Sequence, residues 1–303
     1  MSVQTAVECM KFVVEKGGPD PEDYLEVVRA LDVLHSEEFE IVDGLARRRS
    51  TNEEFARLMA ENWRVFNTTA TMQGFVRLKP HGYAGDFEII ERIYNRQISA
   101  DPNLSKWDTF FHLSDGANSV RNRAELLNGI SAERRPKTLL SVGGGPGLDL
   151  RTVALSANPP KEIVLVDTDA QAIKRAEANL AFASEAADIK VELQCRNAVM
   201  FRSATKFDVI WSSGLFDYLV DRVACTLMKR LKQALAPGGV MVVGNFSVNN
   251  ASRAYCEVIG EWLLIHRTPE DLMKIAEEAG FERSKLEVTA DPTGLNLFLI
   301  AHG

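Results

Sequence analysis

The residues best placed to do chemistry form one short run. Gly143-Gly144-Gly145-Pro146-Gly147 follows the apolar stretch Leu139 to Val142 and precedes Leu148 to Asn158, which has the spacing of a helix. A strand, a glycine turn and a helix in that order let a ligand lie against bare backbone, because no Cβ holds it away. About twenty residues further on, a second apolar run, Ile163 to Val166, ends on Asp167. An acid at the tip of the neighbouring strand is where a ribose presents two hydroxyls. Together these residues predict a nucleoside pocket. A dinucleotide site would want a third glycine where Leu148 stands.

A second stretch combines unusual residue types: Lys79-Pro80-His81-Gly82-Tyr83-Ala84-Gly85-Asp86-Phe87. It reads as a turn in which Asp86 caps the helix after it, or as a lid segment that carries Tyr83 over a ligand. The two readings are compatible.

The elements that must position these residues show in the hydrophobic rhythm. From Thr138 onward, strand candidates at 138–142, 162–167, 189–195, 207–212 and 239–245 alternate with helices near 148–157, 169–185, 199–204 and 219–235. Alternation of this kind implies a mainly parallel sheet covered on both faces. Thr268-Pro269-Glu270-Asp271 opens a further helix and Gly280 closes it. Two last strands, 284–290 and 295–301, are split by Asp291-Pro292-Thr293-Gly294 and read as an antiparallel pair. The expected fold is α/β, a seven-stranded doubly wound Rossmann-like sheet over residues 135–303. Residues 1–134 read as an all-helical cap of five or six helices. Val3, Val7, Met10 and Val14 space as one apolar face, as do Tyr24, Val27, Val28, Leu31 and Leu34. Thr51 and Glu54 stand in capping-box register, and no period-2 run appears.

Bulk properties narrow the function. The chain has 303 residues, 46% hydrophobic and 25% charged, as ordinary globular proteins do. A net charge of −7 disfavours a nucleic-acid partner, which leaves a basic footprint. No apolar run is long enough to span a bilayer, and the first twenty residues lack a signal-peptide core. Cys9, Cys195, Cys225 and Cys256 are scattered without metal-ligand spacing and read as buried free thiols. A cytoplasmic protein acting on a small molecule, with no metal, is the expectation. The pattern is silent on oligomeric state.

Seven strands ending in a hairpin, the glycine turn, Asp167 and the Leu235-Ala236-Pro237-Gly238-Gly239 turn into the fifth strand make residues 138–303 resemble class I S-adenosylmethionine-dependent methyltransferases. The resemblance implies that Gly143, Gly144, Gly145 and Gly147 pass under the methionine part of the cofactor. It implies that Asp167, with Thr168 beside it, holds the ribose, and that Asn197 and Ala198 meet the adenine. Ser213 and Gly214 then stand where the reactive methyl points. The chain departs from the family at Ser141, where an acid usually anchors the cofactor's ammonium. His81 to Phe87, Gly214-Leu215-Phe216-Asp217-Tyr218-Leu219, and Gly244-Asn245-Phe246 with Trp262 to Arg267 resemble a narrower bacterial subgroup with a helical N-terminal cap. Some of its members methylate the carboxylate of a hydroxy fatty acid; others cyclise S-adenosylmethionine to azetidine-2-carboxylate.

These resemblances imply two reactions. In methyl transfer to a carboxylate the acceptor is already a nucleophile and needs only a cation to hold it, for which Arg121, His266 and Arg267 are candidates. Cyclisation would instead use aromatic faces around the sulfonium, drawn from Tyr83, Tyr218, Phe216 and Phe246. Tyr83, Tyr218 and Asn245 are the candidate catalytic residues, Arg121 and His266 the candidate substrate contacts. Methyl transfer to a small acidic metabolite or acyl carboxylate leads, cyclisation follows, and a binding-only module is third.

Overall fold

The computed structural model describes residues 1–186 and 188–303. Compact packing divides the chain into two units. The first holds Met1–Asn118 and Asn250–Leu264, the second Ser119–Asn249 and Ile265–Gly303. The division falls earlier than residue 134, and it returns a later segment to the first unit.

The first unit contains α1 (Val3–Glu15), α2 (Tyr24–Glu38), β1 (Phe39–Val42), β2 (Leu45–Arg48), α3 (Glu53–Arg57), α4 (Met72–Leu78), α5 (Phe87–Tyr94), α6 (Pro102–Leu113) and the start of α7 (Asp115–Arg134). The apolar faces are close to those expected: Ala6, Val7, Met10 and Val13 are buried on α1, and Val27, Ala30, Leu31 and Leu34 on α2. The β1–β2 hairpin corrects the all-helical expectation. Asp43 and Gly44 both have positive φ (50° and 77°), which suits the two-residue turn that Asp-Gly favours. A second correction concerns α3, whose cap is Asn52, not Thr51: its side chain accepts from the Phe55 N–H at 2.9 Å. Asp86 does cap α5, accepting from the Glu88 and Ile89 N–H groups at 2.9 Å each.

The second unit carries the sheet. Its strands are β3 (Thr138–Val142), β4 (Glu162–Asp167), β5 (Lys190–Cys195), β6 (Phe207–Ser212), β7 (Leu235–Phe246), β8 (Leu286–Ala290) and β9 (Asn296–His302). Between them lie α8 (Leu148–Ala154), α9 (Ala170–Ala186), α10 (Asp221–Ala234), α11 (Arg253–Gly260) and α12 (Pro269–Glu278). Spatial order is β5-β4-β3-β6-β7-β9-β8; the first five run parallel and β9 pairs antiparallel with both β7 and β8. This is the doubly wound seven-stranded sheet expected. Neighbours on one strand face opposite layers. Leu140, Val142, Val164, Val166, Ile210 and Met241 pack toward α10 and α12. Leu139, Ile163, Leu165, Val209, Trp211 and Phe298 pack on the other face, with α8, α9 and Leu127 of α7.

Helix α11 belongs to the first unit although it follows β7 in sequence. Its buried Glu257 meets His35 Nε2 of α2 at 2.5 Å and Arg253 Nε at 3.0 Å, and Tyr255 packs edge-on against Phe110 of α6 at 5.3 Å. Trp262 is buried beyond the end of α11 rather than on a helix. Among the described residues no helix is long and apolar enough to cross a membrane. The cysteines are free, but only Cys225 is buried outright and Cys195 is exposed.

Candidate active site

Strand order reverses between β3 and β6, so the chain departs in opposite directions from that pair and leaves a crevice at its carboxyl end. The glycine turn sits there. Gly143 N–H donates to the Val166 carbonyl at 2.8 Å, holding the turn to the tip of β4. Gly145 has φ +52°, and a Cβ on it would meet nothing within 4 Å. Its left-handed backbone favours glycine, and its open side is a surface that a ligand can reach.

Asp167 is half-buried beside the turn. Its Oδ2 accepts from Gly145 N–H at 2.8 Å and its Oδ1 from Asp169 N–H at 3.0 Å. Each carboxylate oxygen has a further lone pair for a donor such as a ribose hydroxyl. Arg196 N–H donates to the Asp167 carbonyl at 2.8 Å, which draws the end of β5 alongside. Asn197 there is exposed and caps the short turn Ala198–Met200, accepting from Val199 N–H at 2.8 Å; Ala198 is half-buried. Thr168 is exposed. Across the crevice, a Cβ on Gly143 would lie 2.8 Å from Leu215 Cβ, so the turn abuts the Ser213-Gly214-Leu215 segment after β6. The tips of β3, β4 and β5 and the segment after β6 are thus brought together.

The other candidates are placed differently. Tyr83 belongs to the first unit, between Gly82 and Gly85, and is 41% exposed. Tyr218 ends a short turn after β6 and is also exposed. Asn245 is wholly buried, and its amide is engaged: Nδ2 donates to the Ile265 carbonyl at 2.8 Å and the Phe246 carbonyl at 3.0 Å, while Oδ1 accepts from Arg267. It holds the end of β7 to the segment that follows α11. His266 is buried, its ring 6.3 Å from that of Phe246, and Arg121 is half-buried on α7.

Two charged residues that the sequence reading did not select stand at the strand ends. Arg123 is 7% exposed; its Nη2 lies 3.6 Å from Asp217 Oδ2 and its guanidinium 5.4 Å from the centre of the Phe246 ring. The signal was present, since Val120, Arg123, Ala124 and Leu127 are the buried positions of one helical stripe and Arg121 lies off it. Asp217 accepts from Phe246 N–H at 2.7 Å. Burial pushes its carboxyl up to about 6, against the opposing pull of Arg123, that N–H and Arg267. Asp149, near the start of α8, is pushed up by burial as well, although Trp211 Nε1 donates to it at 2.6 Å.

The Asp217 shift fixes a pH dependence. Between about pH 4 and pH 6 the native protein binds this proton and the unfolded chain has released it. The group's contribution to stability therefore falls as pH rises through that window. We expect Asp217→Asn, compared with wild type, to gain about 2 kcal/mol between pH 4.5 and pH 7 in urea unfolding. A difference that stays constant with pH would contradict the assigned shift.

The residues at the crevice fit a nucleoside with a polar tail. The Ser141 hydroxyl is buried and has no hydrogen-bond partner among the described residues; a Cβ on Gly144 would lie 2.8 Å from it. An unpaired buried hydroxyl costs about 1–3 kcal/mol, and a polar group laid on the turn would supply its partner.

Comparison with known proteins agrees with this geometry. Residues 140–241 match the family model described as a methyltransferase domain. No curated protein matches the chain in sequence. Among solved structures, a possible exported protein from Bordetella parapertussis is similar at TM-score 0.65 and 20% identity, covering 93% of this chain and 95% of that one. A protein from Nostoc punctiforme provisionally named an O-methyltransferase is similar at TM-score 0.52 and 16% identity, covering 99% and 94%. At such identities the likeness establishes the fold alone. The matched residues, 140–241, contain the glycine turn, Asp167 and the end of β6.

Proposed function

We propose that the protein is an S-adenosylmethionine-dependent methyltransferase whose acceptor is a small acidic metabolite or an acyl carboxylate. The observation that carries the cofactor reading is the hydrogen bond from Gly145 N–H to Asp167. It joins the ribose acid and the glycine turn into one surface, as a nucleoside with an extended tail requires. Asp167 would hold the ribose, Asn197 and Ala198 would flank the base, and the turn at Gly143 to Gly147 would carry the tail. When bound, the cofactor supplies a methyl group activated on a sulfonium.

The acceptor reading rests on what stands at the end of β6. Ser212 is committed to the Val142 carbonyl at 2.8 Å, and Gly214 has no side chain. Neither residue offers a base, and a carboxylate acceptor needs none. Catalysis then consists of orientation, which by itself supplies much of the rate enhancement in a displacement.

Ser141 favours a second reading. A neutral side chain where an acid would hold the ammonium leaves that amine freer to attack the γ-carbon of its own molecule. The new C–N bond forms as the C–S bond breaks, methylthioadenosine leaves, and the amine proton passes to water. Mass analysis after incubation with S-adenosylmethionine alone separates the two. Under the leading proposal the substrate stays intact until a carboxylate is added, and S-adenosylhomocysteine then accumulates. Methylthioadenosine with a four-carbon cyclic amino acid, absent from a heat-killed control, would replace methyl transfer with cyclisation.

A further inference from the structure

We infer that Arg123 is a carboxylate-binding group: its guanidinium, at the ends of β6 and β7, receives the carboxylate of a ligand in the crevice. That carboxylate belongs either to the amino-acid tail of the nucleoside or to the acceptor, and the inference rests on the nucleoside reading above.

The case is made by comparing two buried arginines of the second unit. Arg267 is 2% exposed and fully engaged. Its Nε donates to Asp221, Nη1 to the Phe216 carbonyl and Asn245 Oδ1, and Nη2 to the Leu219 carbonyl and Asp221. All five donors of its guanidinium have partners, so it has no hydrogen bond left to offer a ligand.

Arg123 is nearly as buried and differently satisfied. With its amide oriented to satisfy both neighbours, Asn296 accepts from Arg123 Nε at 2.9 Å and donates to the Asn245 carbonyl at 3.3 Å. The Nη groups form no hydrogen bond with the described residues; Asp217 Oδ2 at 3.6 Å is too far for one. Four N–H donors of this largely buried cation thus have no hydrogen-bond partner among the described residues. The outer edge of a guanidinium matches a planar carboxylate through two parallel hydrogen bonds.

Its surroundings hold the fork in place without occupying it. The Phe246 ring lies 5.4 Å from the guanidinium carbon, and Asn296 fixes the Nε side. A Cβ on Gly214 would come within 2.7 Å of Nη1, so glycine there is what allows the guanidinium to lie against the segment after β6. That is the segment abutting the glycine turn through Leu215. Asp217 and Asp149, the acids that face Arg123, are both held above the ordinary carboxylate range by burial.

Calorimetry on the full chain tests the assignment with three probes: S-adenosylhomocysteine, methylthioadenosine, which has the same nucleoside without the amino-acid tail, and octanoate added with S-adenosylhomocysteine at saturation. Arg123→Gln is expected to weaken one carboxylate probe by about 10-fold or more and to leave methylthioadenosine unchanged. Loss on S-adenosylhomocysteine assigns the carboxylate to the nucleoside's tail; loss on octanoate alone assigns it to the acceptor. Arg123→Lys, which keeps the charge without the fork, falls between and serves if the glutamine variant does not fold. The inference is overturned if folded variants bind all three probes as wild type does, or lose methylthioadenosine as much as S-adenosylhomocysteine. A wild-type protein that binds neither nucleoside overturns the nucleoside reading itself, and this inference with it.

Discussion

Asp167→Ala is expected to weaken S-adenosylhomocysteine binding by about 100-fold or more while the protein stays folded. The reasoning is local. The carboxylate accepts from Gly145 N–H and Asp169 N–H, and each oxygen keeps a further lone pair beside a turn that is open at Gly145. Two ribose hydroxyls donating to an ionised acceptor contribute about 1.5–3 kcal/mol each. The variant also frees Gly145 N–H, so the turn loses one of its two hydrogen bonds to β4 and keeps that from Gly143 N–H to the Val166 carbonyl. Half-buried and at the tip of the strand, Asp167 contributes little to the core, and the melting transition should survive. Titration calorimetry with circular dichroism as the folding control is the measurement. Wild-type affinity in a folded variant would remove the nucleoside from this crevice.

The second large effect lies in stability, not in binding. Arg267→Ala is expected to destabilise the protein by about 3–5 kcal/mol, because it strips donors from the buried Phe216 carbonyl and Asn245 Oδ1 and from the Leu219 carbonyl. The ion pair with Asp221 adds little, since that carboxylate side chain is 69% exposed. Arg267→Lys should lose almost as much, as one ammonium cannot span acceptors laid out for a planar fork. Urea unfolding decides it, and a loss below about 1 kcal/mol would show that the network does not hold the end of β7. Arg123→Gln and Arg267→Ala should therefore separate, the former acting on ligand affinity and the latter on the folding midpoint.

The parts of this protein legible in its sequence are those set by local rules. β3, β4 and β6 fall on their expected residues, because strands buried on both faces read as continuous apolar runs between turns. Thr268 caps α12 at the helix start expected there, with Asp271 completing a capping box and Pro269 in the first turn, since a cap is decided within four residues. The β1–β2 hairpin was equally local and was missed only because Phe39–Val42 and Leu45–Arg48 do not alternate cleanly. Asp43-Gly44 was the sign.

What the tertiary structure decided depends on residues distant in sequence. No pattern in 250–264 shows that it leaves the sheet domain and returns to the first unit, where a buried Glu257 meets His35. Nor can spacing rank the cations. Arg121, Arg123, His266 and Arg267 are all plausible holders of an anion by residue type, but a guanidinium can receive a ligand only with the donors that packing leaves it. Arg267 meets carbonyls from the turn after β6 and an amide from β7, contacts that exist only once the chain has folded. Arg123 keeps its outer edge because Asp217 stops 3.6 Å away and Gly214 has no side chain. The sequence by itself determined the sheet, the glycine turn and the acid beside it, through periodicity and turn chemistry. Which charge is spent on the fold and which is left for a ligand was settled by three-dimensional packing, because hydrogen-bond satisfaction is a property of neighbours in space.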